Sequence, residues 1–205
     1  MMRPSLICVI AVNIALLTIG CNPSGSDATG SKTPPDSLQQ AVERTVQSIN
    51  DMRESLAATI NTPTVDKTTF QRVCKPVGKR MKLVSAERGW RMQQLARKYR
   101  NPAHTLDEET RQLYERFAGS PDLTDTWSRT VHENTEGWRY ARRITVQSSC
   151  LACHGPKEKR PDFVKKGYPQ DRAYGFEEGD LRGLYSVFIP DSLGTASDAP
   201  GAPGP

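Results

Sequence analysis

Residues 150–154 of this 205-residue chain read Cys-Leu-Ala-Cys-His, and no other stretch restricts so tightly what the rest must fold around. The two thiols stand about one helical turn apart, and an imidazole follows at once. This spacing lets both thiols add to the vinyl groups of a haem while the imidazole reaches the iron from the same side. Cys150 and Cys153 are the expected covalent anchors of one haem c, and His154 is the expected first iron ligand. A structural zinc site needs four ligands, commonly from two knuckles, but the chain has neither a second Cys-x-x-Cys pair nor a His-x-x-x-His pair. A redox dithiol belongs beside a strand-helix-strand pattern and has no use for the histidine that follows.

The N-terminal residues add a compartment. Residues 1–20 have the make-up of an export signal: Arg3 supplies the positive start, and an almost unbroken apolar run from Leu6 to Ile19 follows. The run is too short to span a bilayer. It leads into Leu17-Thr18-Ile19-Gly20-Cys21, which is similar to the bacterial lipoprotein cleavage box. Cys21 is the expected lipidated first residue, anchoring the protein on the periplasmic side of a membrane; an ordinary signal with a cysteine at its border is the alternative. Haem is attached covalently outside the cytoplasm, so the two signals agree.

The five cysteines can then be assigned one by one. Cys8 leaves with the signal, Cys21 takes the lipid, and Cys150 with Cys153 takes the haem. Cys74 remains without a partner in an oxidising compartment. It falls on the stripe Phe70, Val73, Cys74, Val77, Met81, Val84, so it is expected to point inward from an amphipathic helix. Such a cysteine is either a small buried hydrophobe or an iron ligand. Met81, Met92, His104 and His132 are equally able to take the sixth position.

Removal of residues 1–20 takes away Arg3 and no acid, which lowers the formal net charge from +5 to +4. That is not a nucleic-acid signature. Lys157, Lys159, Arg160, Lys165 and Lys166 cluster after the haem motif, as a solvated loop, a propionate site or a surface for an acidic redox partner.

Residues 21–36 are rich in Pro, Gly, Ser and Thr and read as a flexible tether. A helix capped by Ser37 is expected to carry Leu38, Val42, Val46, Ile49, Met52, Leu56 and Ile60 inward until Pro63. A second runs from about Asp66 through Cys74, with Pro76 near its start or at a kink. Residues 90–95 alternate as a half-buried strand, and residues 106–117 form a short helix started by Thr105 or Asp107. Residues 137–146 alternate large apolar with cationic side chains, and residues 184–189 are a further strand. Gly175, Gly179 and Gly183 mark turns, with Arg182 placed to reach a propionate. Two or three strands with helices outside imply an α+β domain over residues 37–189, followed by a disordered tail over residues 190–205. The structural alternative is an all-α four-helix cytochrome bundle.

Four pieces together, Cys74 on its helix, Lys98-Tyr99-Arg100-Asn101-Pro102-Ala103, Cys150 to Gly155, and Asp171-x-Ala173-x-Gly175-Phe176-x-x-Gly179-Asp180-Leu181-Arg182-Gly183, resemble one family. It is the exported haem-c domain with a PAS-like antiparallel sheet, catalogued as a domain of unknown function and found alone or as the sensory part of bacterial signalling proteins. The resemblance runs from Leu38 to Ile189 and implies that Cys74 is the sixth iron ligand. Gln94-Leu95-Ala96 and His104 depart from the family pattern, which has a polar run before Arg-Asn-Pro and an asparagine after it.

A Cys74 thiolate opposite His154 would stabilise ferric over ferrous iron and give a low reduction potential. With both axial positions filled, no site is open to peroxide or oxygen, which argues against an enzyme. Two functions remain: a redox or small-ligand sensor in which reduction frees Cys74, and a tethered electron-transfer cytochrome in which the ligands stay. Either needs a protein partner, which the sequence does not name.

Overall fold

The longest apolar repeat becomes helix α1 (Asp36–Ala58), which buries Val42, Val46 and Ile49. Its N-cap is the extended Pro35, so Ser37, expected as the cap, lies inside the first turn. The computed structural model describes residues 33–60 and 65–194, all within a unit that begins at Ser31. The export signal, the lipidation site Cys21, most of the tether, Pro63 and the end of the tail lie outside the described residues.

Asp66 caps helix α2 (Lys67–Val73), its carboxylate accepting the Thr69 amide at 2.7 Å. The helix expected through Cys74, with Pro76 near its start or at a kink, is broken outright: Cys74 closes α2 and opens helix α3 (Lys75–Arg88). Pro76 explains the break. Its ring removes the amide that would continue the first ladder and collides with the carbonyl four residues back, but in the first turn of a new helix no bond is lost. Gly89, at φ 70°, ends α3 in the left-handed conformation.

Four strands form one antiparallel sheet: β1 (Arg91–Leu95), β2 (Asp125–His132), β3 (Thr135–Thr145) and β4 (Leu181–Pro190), in the order β1-β4-β3-β2. This excludes the four-helix bundle and establishes the α+β class with a PAS-like sheet. It also exceeds the two or three strands expected. Edge strand β2, with the polar composition Asp-Thr-Trp-Ser-Arg-Thr-Val-His, carries too little apolar alternation to announce itself. Glu133 and Asn134, both at positive φ, turn β2 into β3 as a two-residue hairpin.

Strand alternation serves two layers. Tyr140, Ile144, Tyr185, Val187 and Ile189 meet α1 and the α3 residues Val77, Met81 and Val84. On the opposite face Ala141 and Leu184 meet helix α4 (Glu108–Gly119) through Leu113, Tyr114 and Phe117. Two of the three cations of β3 also lie on this face: Arg139 is buried against Glu109 and Ser186, and Arg143 donates to the carbonyls of Leu123 and Ser120. Asp107 and Thr110 form a reciprocal capping box that starts α4.

Helices α5 (Leu151–His154) and α6 (Asp162–Gly167) lie in the β3–β4 connection. Gly175 and Gly179 have positive φ and turn the chain, but Gly183 sits inside β4, where a side-chain carbon would lie 2.5 Å from the Leu95 carbonyl oxygen. Residues 190–194, expected to belong to the disordered tail, are ordered: Pro190 ends β4, and helix α7 (Asp191–Gly194) follows, tied by the Asp191 carboxylate to Arg129 at 2.6 Å. No helix among the described residues is long and apolar enough to cross a membrane.

Candidate functional site

Cys150, Cys153 and His154 lie in the turn Ser148–Cys150 and helix α5, so a helical turn presents both thiols on one side. All three line a cavity of about 1000 Å³ beyond the end of β1. Its far walls come from α2, α3 and α6, with Phe70 packed on Phe163 and Tyr168 at centroid distances of 5.6 and 6.3 Å.

His154 is oriented by its neighbours. Its Nδ1 lies 2.7 Å from the Ala173 carbonyl oxygen, so Nδ1 carries the proton and donates it, leaving the lone pair on Nε2. Burial, with Arg182 and Arg100 nearby, pushes its pKa well below the ordinary histidine value, which keeps the ring neutral as metal binding requires. The Phe176 ring meets it edge-on at 88°.

The carbonyl that receives the imidazole proton is itself held. Asp171, with no exposed side-chain surface, accepts from the Ala173 amide at 3.0 Å and pairs with Arg100 at 3.4 Å and Arg160 at 2.9 Å. Arg100 also donates to the Cys153 carbonyl at 2.9 Å, tying the motif to the loop before the turn Pro102–His104. Of the basic cluster for which a solvated loop, a propionate site and a partner surface were all open, Arg160 is thus held by Asp171, Lys166 lines the cavity, and Lys165 pairs with Asp162. Arg100, Asp171 and Arg160 were not singled out as site residues. The signal was present in the Arg-Asn-Pro and Asp-x-Ala segments, but nothing local joins residues 71 positions apart.

Cys74 lies on the cavity wall and not in the core, contrary to its stripe. The break at Pro76 carries it off the face that Val77, Met81 and Val84 bury. Its side chain has solvent-accessible area because the cavity is open, yet surrounding protein desolvates the thiol and pushes its pKa up to about 11, with nearby Cys153 adding to the rise and Arg100 opposing it. Of the other ligand candidates, only His104 reaches this cavity. Met81 is buried in the α1 core, Met92 packs against that core, and His132 stacks on Phe188 at 5.2 Å.

Arg182 enters through an irregularity. β3 and β4 pair Ile144 with Gly183 but Thr145 with Leu181, so Arg182 is the extra residue of a bulge, re-aimed toward the cavity. It donates to the Lys98 carbonyl at 3.1 Å and stacks on Phe176 at 5.4 Å. Among the described residues no carboxylate stands within ion-pair distance of it, and desolvation with Arg100 nearby lowers its pKa to about 10. The volume sits at the top of the roughly 300–1,000 Å³ range of cofactor sites. An apolar wall, two thiols on one turn, an imidazole with a free lone pair and an unpaired guanidinium match a porphyrin with vinyl groups, iron and propionates.

Fold and site define a class: an α+β protein with a PAS-like sheet and a Cys-x-x-Cys-His cofactor cavity at the sheet's edge. The Tll0287-like family model matches residues 32–190, and the chain belongs to that family. A solved structure of the cyanobacterial heme-protein Tll0287 is 43% identical, with a TM-score of 0.67, over 77% of this chain and 97% of the other. No curated protein matches the chain.

Proposed function

We propose that the protein is an exported, lipid-anchored monohaem c-type protein that acts as a redox or small-ligand sensor. Its similarity to a heme-protein supports the cofactor. When bound, haem supplies a one-electron iron couple. Cys150 and Cys153 would hold it by thioether bonds, His154 Nε2 and Cys74 sulfur would ligate the iron, and Arg182 would meet a propionate. The observation that carries this reading is that Cys74 and the Cys-x-x-Cys-His turn, far apart in sequence, line one cavity.

As a thiolate, Cys74 would favour the ferric state; on reduction it would take a proton and loosen. Because Cys74 joins α2 to α3, its release would change the angle between two helices, one of which packs on the core. That is a conformational signal a partner can read. Low- and high-spin signatures in absorption and paramagnetic resonance, compared for wild type and Cys74→Ala in both oxidation states, test the ligand. The variant should lose the thiolate ferric signal; an unchanged ferric spectrum would sink the assignment.

A second reading, electron transfer with fixed ligands, draws support from Lys67, Lys75, Lys79, Lys82 and Lys166 around the cavity. These would dock an acidic redox protein. Salt-sensitive electron exchange without a spectral change of ligation would favour it.

A further inference from the structure

His104 lines the same cavity as Cys74 and His154, and its backbone is pinned while its ring is free. Its carbonyl accepts the Ala96 amide at 2.9 Å, its amide donates to the Asn101 carbonyl at 2.9 Å, and the Asn101 side chain caps its turn by accepting from Ala103 at 3.1 Å. Its imidazole makes no hydrogen bond or ion pair among the described residues. Burial, with Arg182 beside it, lowers its pKa below the ordinary histidine value, so the ring is neutral and keeps an unshared pair. Met81, Met92 and His132 are occupied elsewhere in the fold. A neutral imidazole nitrogen on a fixed turn of this cavity is a ligand without an assignment.

We propose that His104 is a reserve iron ligand that replaces Cys74 when the haem is reduced. The inference rests on the haem reading above. One electron, from a one-electron donor, converts ferric to ferrous iron, and one proton converts the Cys74 thiolate to thiol. One sulfur–iron bond breaks and one nitrogen–iron bond forms; His104 donates its lone pair and loses no proton. The exchange follows from charge: ferrous iron has less demand for an anionic ligand and accepts a neutral imidazole well. The reduced protein therefore stays six-coordinate, which narrows the reading above to a redox sensor: the signal is a ligand exchange within the cavity, not an open site for a gas.

The test uses haem-loaded protein matured in an exporting host, as wild type, His104→Ala, His104→Gln and Cys74→Ala, with the double variant of Cys74→Ala and His104→Ala. On reduction by dithionite, wild type should give a low-spin six-coordinate spectrum. Both His104 variants should become five-coordinate and high-spin and bind carbon monoxide at least about tenfold more readily, while their ferric spectra match wild type and so report an intact fold. Ferric Cys74→Ala should show a bis-imidazole low-spin signal that disappears in the double variant. Reduced spectra identical in wild type and both His104 variants, or a high-spin ferric Cys74→Ala, would overturn the exchange and leave the haem reading standing. A wild type without covalent haem would instead refute the haem reading and this inference with it.

Discussion

Asp171 decides what His154 can do without lying beside the lone pair. Its carboxylate holds Arg100, Arg160 and the Ala173 amide, and the Ala173 carbonyl holds the imidazole proton. Truncation to alanine leaves two largely buried guanidinium groups uncompensated. We expect Asp171→Ala to lose about 3–5 kcal/mol in urea unfolding, by analogy with broken buried ion pairs. Asp171→Asn keeps the Ala173 bond and should retain more of the stability. Asp107 gives a pH dependence of known sign. Burial tends to raise its pKa, but the Thr110 hydroxyl and amide together outweigh it and hold the carboxylate below its ordinary value. Its stabilisation is therefore present above about pH 4 and lost as pH falls through the lowered folded pKa. Asp107→Ala should cost about 1 kcal/mol near neutrality, with the gap between the unfolding curves of the two proteins closing in acid.

Among the elements, β4 governs the site most directly, because its bulge turns Arg182 into the cavity and its Gly183 lets β1 approach. A methyl group at residue 183 would meet the Leu95 carbonyl at 2.5 Å, a backbone atom that cannot swing aside. Gly183→Ala is expected to lower stability by about 1–3 kcal/mol in thermal unfolding and to reduce haem loading, since Leu95 and Ala96 line the cavity. Periodicity made α1, α4, β1, β3 and the core of β4 legible, for each buries one face or alternates. It did not reveal β2, whose hydrogen bonds come from the neighbouring strand and not from a pattern of its own. Nor did periodicity mark the α2–α3 break, since the apolar stripe runs through it without interruption; there the signal was Pro76, legible as a helix start or a kink.

For the molecule as a whole, the cavity is the main consequence of the fold. Helices cover both faces of the sheet, yet beyond β1 the chain leaves about 1000 Å³ walled by Phe70, Val73, Val77, Leu95 and Phe163. Apolar surface of that kind is poorly matched to water. The variant carrying Cys150→Ser and Cys153→Ser should therefore mature without covalent haem, melt below the wild type and bind a hydrophobic dye such as ANS. A colourless variant with an unchanged melting point would show that the cofactor does not contribute to the fold. Arg182→Gln, which removes an unpaired positive charge beside the cavity, should move the reduction potential to more negative values in a redox titration, because positive charge favours the electron-richer state.

From the chain alone came what nearest neighbours along it dictate: thiols and imidazole at the spacing of one helical turn, helical and strand periodicities, and an odd cysteine in need of an explanation. Tertiary structure decided which distant residues share a site. It brought Cys74, His104 and Arg182 to the wall that holds Cys150, Cys153 and His154, and it buried Met81 and stacked His132 elsewhere. The physical reason is that ligand chemistry depends on separation in space. Here that separation is set by a proline break and a strand bulge, two local departures from regularity whose direction depends on what packs against them.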